Sequence, residues 1–246
     1  MSSPALAWGY PIPGNPSQRR ERMPMDTSFK WSRFLNFLAQ RWDEILQLAG
    51  QHLAVVVISL AIALVIGILI GSLVWNRPIG RATALTAAGI AITIPSLAVL
   101  ALLSPLMGLG WGPSIVALVF YALLPIIRNT VVGLREVPAQ IVESARGMGM
   151  GRARILVTTQ LPIAWPVIMT GVRVSAQMTV GIAAIAAYVA GPGLGQYIFT
   201  GLSSMGSFNA VNYALTGTVA TIILALLIDA AFIFVARATT SKGLRA

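Results

Sequence analysis

Three charged residues stand alone inside long apolar stretches: Arg128 in LPIIRNT, Arg173 in GVRVS and Asp229 in LLIDAAF. A charge in such surroundings is costly unless it pairs or reaches water. Asp229 therefore needs a cation: Arg173, at similar depth counted back from the ends of the apolar runs, is the expected partner, and Arg128 is the competing one. We read the three as a structural lock between elements rather than as ligands for a substrate. A second polar group is dense. Residues 143–162, ESARGMGMGRARILVTTQLP, hold Glu143, Arg146, Arg152 and Arg154, with Arg135 just before them. Their chemistry is ion pairing and hydrogen bonding with another surface. The chain has no cysteine and one histidine, His52. Disulfides, thiolate metal sites and cysteine nucleophiles are excluded, and one histidine builds no metal centre. His52 stands at the start of an apolar run and reads as an interfacial residue. No GxxxxGK[ST] segment occurs, so no phosphate cradle for a nucleotide is present.

The elements that must position these groups follow from composition. Of 246 residues, 57% are hydrophobic and only 10% charged, against about a quarter charged in soluble domains. No Asp, Glu, Lys or Arg lies between Arg81 and Arg128, or between Arg173 and Asp229. Such runs read as bilayer-spanning helices, which need about 20 apolar residues each. Strands are disfavoured because no period-two alternation is seen. The net charge of +10 fits loop arginines and lysines on one side of a membrane. It does not imply nucleic acid, because no basic stripe is interleaved with exposed aromatics.

The expected architecture is all-α and integral to the membrane, with five spans at about 53–75, 83–105 (bent near Pro95), 113–132, 167–190 and 214–236. MGLGWGP at 107–113 reverses the chain between the second and third, and the stretch from GPGLG to about Asn212 reads as a loop. Gly67 and Gly71 form a small-xxx-small pair that permits close helix contact. Before the spans, Trp31, Phe34, Leu35, Leu38, Trp42, Ile45 and Leu46 recur at helical spacing. They predict an amphipathic helix over 30–50, lying in the membrane interface or packed on the spans. Residues 1–29 are rich in Pro, Ser and Arg and read as a disordered tail. The permease-like body then covers 51–237, its charged segment 135–162, and a short tail 238–246.

Loop 76–81, segment 135–162 and the C-terminus are basic, whereas loops 107–113 and 191–212 carry no charge. The positive-inside rule puts the first three in the cytoplasm and the N-terminus outside. Within the charged segment, Pro138 suits a helix start, and Ile141, Ala145 and Met148 share a face. Gly147 and Gly149 can end that helix. Arg152 to Gln160 forms a second short amphipathic stretch leading to Leu161-Pro162. A short charged helix held just below the bilayer is shaped to dock on a soluble partner.

That segment resembles the EAA motif of permease subunits of bacterial ABC importers: Glu, two small residues, Gly six positions after the Glu, then Leu-Pro. Glu143, Ser144, Ala145, Gly149, Leu161 and Pro162 match it, with Ser144 in place of the usual second Ala and Thr159 where Ile is common. QHLAVVVISLAIALVIGILIG, AITIPSLAVLALL, YALLPIIRNTVVGL, RGMGMGRARIL, GVRVS and GPGLGQYIFTGL are similar to permeases for glycine betaine, choline, carnitine and related quaternary amines. The resemblance implies a non-enzymatic, N-out, five-span subunit of the bacterial cytoplasmic membrane, working beside a second permease subunit. It implies cytoplasmic ABC ATPase subunits that hold ATP and Mg, an extracytoplasmic substrate-binding protein, and no cofactor on this chain. Glu143 would accept hydrogen bonds from the ATPase, and Arg146, Arg152 and Arg154 would pair with its acidic rim, a solvated charge face being the other reading for the arginines. Quaternary amines are held by aromatic faces, and the spans offer few that converge, so specificity is expected in the binding protein. Pro95, Ser96, Gly191, Gly193 and Gly195 are candidates for the translocation path, a plain kink and loop being the other reading. A permease for another small solute, such as methionine, is an alternative. An ion-driven transporter would want embedded carboxylates in two repeated halves, and Asp229 is the only acidic residue within a span.

Overall fold

The computed structural model describes residues 30–239. The expected N-terminal tail at 1–29 lies outside them, as do residues 240–246 of the expected tail 238–246, whose first two residues belong to the last helix. The described chain is helical: α1 (Trp31–Gln40), α2 (Trp42–Val74), α3 (Pro78–Thr93), α4 (Ser96–Met107), α5 (Trp111–Glu136), α6 (Ala139–Gly147), α7 (Arg152–Ile155), α8 (Leu161–Ala186), α9 (Gly195–Ser203) and α10 (Ala210–Thr239). A π-helical turn, Leu156–Gln160, joins α7 to α8, and a 3₁₀ turn, Ala187–Val189, ends α8. Four stretches are long and apolar enough to cross a membrane: α2, α5, Arg152–Val189 and α10. The α3–α4 pair meets the same criterion together but is bent by 92°, and counting it as one crossing gives five.

α5 is the central helix, packed along its length against α2 and α8. Its contact with α2 is close because two glycines face it. A Cβ on Gly67 would lie 2.5 Å from Ile126 Cγ2, and one on Gly71 would lie 2.6 Å from Thr130. The small-xxx-small spacing thus does what it allows, bringing two backbones together. On the other side, the Ser175 hydroxyl donates to the Ala122 carbonyl at 2.7 Å, tying α8 to α5.

The bend between α3 and α4 has a local cause. Pro95 has no N–H to continue the helix, and the residue before a proline is pushed out of helical geometry. Ile94 is accordingly extended, with ψ 128°. Its carbonyl accepts a hydrogen bond from the Tyr121 hydroxyl on α5, which satisfies the break from a neighbouring helix. The expected reversal at 107–113 is made by Gly108 and Gly110, both at positive φ.

Three expectations are corrected. The helix over 30–50 is divided at Arg41, which leaves helical geometry (φ −122°, ψ 17°), and α2 begins at Trp42 and continues unbroken into the first span. Asp43 and Glu44 in its first turn favour a helix start there through the dipole. On α1, Phe34 and Phe37 are buried, while Trp31 and Leu35 face outward, as do Trp42 and Leu46 on α2. One side of the amphipathic stretch is therefore packed on the protein and the other left to the surroundings. Second, the region 191–212 is not all loop. α9 forms within it because Tyr197 and Gly201 are buried, Gly201 lying so close to α10 that a Cβ would come within 2.5 Å of the Ala214 nitrogen. Third, His52 is fully buried rather than interfacial. Its Nε2 lies 3.1 Å from the Val180 carbonyl on α8, and because a carbonyl only accepts, that nitrogen carries the proton.

Candidate functional site

The charged segment is built from short pieces. Val137 and Pro138 alone separate α5 from α6. α6 ends in a Schellman arrangement: the Gly149 N–H donates to the Arg146 carbonyl at 3.0 Å and the Met150 N–H to the Ala145 carbonyl at 3.2 Å. Gly149 sits at φ 81°, the left-handed region that glycine enters without a Cβ penalty. Of the residues expected on one face, Ala145 is buried and Ile141 and Met148 are exposed. Glu143, Ser144 and Arg146 are also exposed. Val142 and Arg146, one helical turn apart, line a cavity together with Arg152. α6 therefore presents Glu143, Ser144 and Met148 outward and turns Arg146 toward the end of α2.

The return to the bundle is continuous. α7 runs through the π-helical turn into α8, with Leu161 and Pro162 in the first turn of α8. Pro162 cannot donate to a carbonyl one turn back, and a wider turn is one way a helix accommodates such a gap. The expected separate stretch 152–160 is thus the lead-in of α8. The π-helical turn also buries the side chain of Gln160.

The lone intramembrane charges resolve into one pair. Arg173 grips Asp229 with both ends of its guanidinium: Nε–Oδ1 and Nη2–Oδ2 are each 2.6 Å. The Gln177 side-chain amide donates to the same Oδ1 at 2.8 Å. A bidentate arginine–carboxylate pair fixes orientation as well as charge, and here it joins α8 to α10. Both partners lie in the body of their helices. Arg128 is exposed on α5 and makes no ion pair among the described residues.

The five candidate path residues separate. Pro95 and Ser96 stand at the bend between α3 and α4, Pro95 exposed and Ser96 partly so. Gly191, Gly193 and Gly195 are buried inside the chain. Gly193, at φ 113°, is pressed against His52, whose Cβ would be 2.7 Å from an added Cβ. The glycine run is a packed joint between α8, α9 and α2.

Sequence reasoning missed an aromatic cluster. Phe37, Tyr197 and Tyr213, from α1, α9 and α10, have ring centroids 4.8–6.3 Å apart. Arg41 lies over two of them, 5.4 Å from Phe37 and 5.0 Å from Tyr213, and pairs with Glu44 at 2.8 Å. Burial first, and then the Glu44 carboxylate, push the Tyr197 phenol above its ordinary range. The cluster was hidden because its members are far apart in sequence. Only the cation-plus-aromatic composition of residues 37–41 hinted at it.

A bundle of apolar helices with one exposed, charged helix strapped to its end defines the membrane subunit of a multicomponent transporter. The chain belongs to the family described as binding-protein-dependent transport system inner membrane component, which it matches over residues 42–241; the match begins at the first residue of α2. It is 35% identical over 214 residues to the glycine betaine/carnitine/choline transport system permease protein OpuCB of Bacillus subtilis, covering 87% of this chain and 97% of that one. Identity is 36% to the choline transport system permease protein OpuBB of the same organism (86% and 95% covered). It is 37% to the osmoprotectant import permease protein OsmY of Salmonella typhimurium (82% and 84%). Among solved structures it is similar to a chain of the methionine ABC transporter MetNI in an inward-facing conformation. There the TM-score is 0.69 at 26% identity, covering 80% of this chain and 96% of that one. The protein is a multi-pass ABC-type permease.

Proposed function

We propose that this chain forms the translocation path of an ATP-driven importer of osmoprotectants such as glycine betaine, choline or carnitine. ATP and Mg are held by separate ATPase subunits that dock on α6. A second permease subunit completes the path, and an extracytoplasmic binding protein delivers the solute. The membrane is the bacterial cytoplasmic one, with the N-terminus outside and α6 inside. The observation that carries this reading is α6 itself, a helix whose Glu143, Ser144 and Met148 side chains face away from the bundle. Beside the polar pair, Met148 is a large apolar side chain 70% exposed on that face, which a docked subunit would cover. The substrate class is supported by likeness to relatives named for quaternary amines. Among the described residues, the three-ring cluster of Phe37, Tyr197 and Tyr213 is already covered by Arg41, which supports selection by the binding protein rather than by this chain.

The test is reconstitution of the chain in vesicles with its ATPase and binding protein, followed by uptake of labelled glycine betaine, choline, carnitine and methionine. ATP-dependent uptake of a quaternary amine and not of methionine is expected. Uptake of methionine alone would overturn the substrate class, and uptake driven by an ion gradient without ATP would overturn the mechanism.

A further inference from the structure

At the same end of the bundle, a cavity of about 440 Å³ opens between the end of α2 and the α6–α7 segment. Arg146 and Arg152 line it, with Ser72, Trp75, Asn76 and Gln160, and no acidic side chain does. Neither guanidinium has an ion pair or hydrogen bond among the described residues. Gln160 is 5% exposed, and its side-chain amide has no hydrogen-bond partner among the described residues. The Ser72 hydroxyl is buried and equally unpartnered. Buried polar groups are almost always satisfied, so the unpartnered Ser72 hydroxyl, with the Gln160 amide and two cations lining the same cavity, marks a place suited to a ligand. The available hydrogens come from guanidinium, amide and hydroxyl groups, all of which donate. The complementary ligand is an anion with several acceptor oxygens.

We propose that this cavity binds a phosphate group, with Arg146 and Arg152 supplying charge and Gln160 and Ser72 supplying neutral donors. A tetrahedral phosphate directs its acceptor oxygens out of one plane and can accept from donors on different sides of the cavity, whereas a carboxylate accepts mainly within its own plane. Trp75 marks the end of the first span, the depth at which tryptophan meets the headgroup layer. Basic pockets between helix ends at that depth suit phospholipid headgroups. The same chemistry would hold free phosphate from solution.

The test uses the full-length chain, purified in detergent and then placed in nanodiscs. Thermal unfolding is followed with inorganic phosphate against chloride at equal ionic strength, and in nanodiscs of phosphatidylcholine with or without phosphatidylglycerol. Wild type is expected to be stabilised by phosphate, by phosphatidylglycerol, or by both. A response to phosphate identifies a soluble anion, and a response to phosphatidylglycerol alone identifies a headgroup. Arg152→Gln should weaken the response about tenfold or more, the usual effect of losing a charged hydrogen bond. Gln160→Leu should do the same, while Arg154→Gln, an exposed arginine outside the cavity, should leave it unchanged. Arg146 and Arg152 are exposed, so their variants fold and the test stands even if Gln160→Leu does not. No response in either medium, or equal loss on Arg154→Gln, would overturn the site. The readout is binding rather than uptake, so it succeeds or fails separately from the transport reading.

Discussion

Gly149 is the position where backbone conformation and partner docking are separable. At φ 81° a side chain is strained, yet an added Cβ would meet nothing within 4 Å. Any effect of substitution is therefore backbone strain and not a clash. Left-handed geometry costs an L-residue roughly 1–2 kcal/mol, and valine, being β-branched, is the worst placed. A free segment carrying Gly149→Val relaxes by loosening the turn that the Gly149 and Met150 N–H groups close. Docking must rebuild that turn. The dissociation constant for the ATPase should then rise about 5- to 30-fold, the factor corresponding to 1–2 kcal/mol. Gly149→Asn should lose much less, because asparagine tolerates left-handed geometry. The assay is titration of purified ATPase onto the chain in nanodiscs, with thermal unfolding as a control for the bundle, which neither variant should change. Equal affinities for glycine, asparagine and valine, or equal losses for the last two, would refute the reasoning.

Other expectations follow from the packing. Gly67→Ala should destabilise the chain by about 1–3 kcal/mol through overpacking, because its Cβ meets Ile126 at 2.5 Å; combined with Ile126→Ala, the loss in thermal unfolding should be smaller than the sum of the single losses. Asp229→Asn should lower the yield of folded protein by leaving Arg173 unpaired, and adding Arg173→Gln should restore part of it; restoration by Arg128→Gln instead would contradict the observed pairing. For sidedness, a cysteine at Ser207 in this cysteine-free chain should react with a membrane-impermeant thiol reagent in intact cells, whereas one at Ser144 should not.

Legibility varied with the range of the interaction. The apolar runs gave their helices directly, because composition alone decides a span. MGLGWGP and Gly149 were readable as turns, since local geometry demands glycine there. Asp229 could be seen to need a cation, and its depth in the run pointed to Arg173 over Arg128, whereas the bidentate grip and the added Gln177 bond depend on the relative rotation of α8 and α10. α9 was not legible: GQYIFTGLS is short and begins directly after a glycine-rich turn, and burial of Tyr197 and Gly201 against α10 makes it a helix. The break at Arg41 is likewise tertiary, fixed where the guanidinium lies over Phe37 and Tyr213. Nothing local marked His52 as buried, because the backbone of Gly193 that encloses it lies far along the chain.

The link between α5 and α6 is two residues long, and one of them is a proline held at φ −58°. At its other end a four-residue turn, 148–151, closed by the Gly149 and Met150 hydrogen bonds, leads into α7, which runs into α8 without a break in the helical path. α6 is thus fastened at one end to the central helix and at the other to that helix's main neighbour. Mechanically this is a stiff crank with almost no slack. A displacement of α6 has no long loop in which to dissipate and must appear as relative movement of α5 and α8. The glycine contacts and the Arg173–Asp229 grip pass that movement on to α2 and α10. A stroke of a few ångströms at the rim can therefore rearrange the whole bundle, and lengthening this link by a few flexible residues would uncouple the two while leaving each intact.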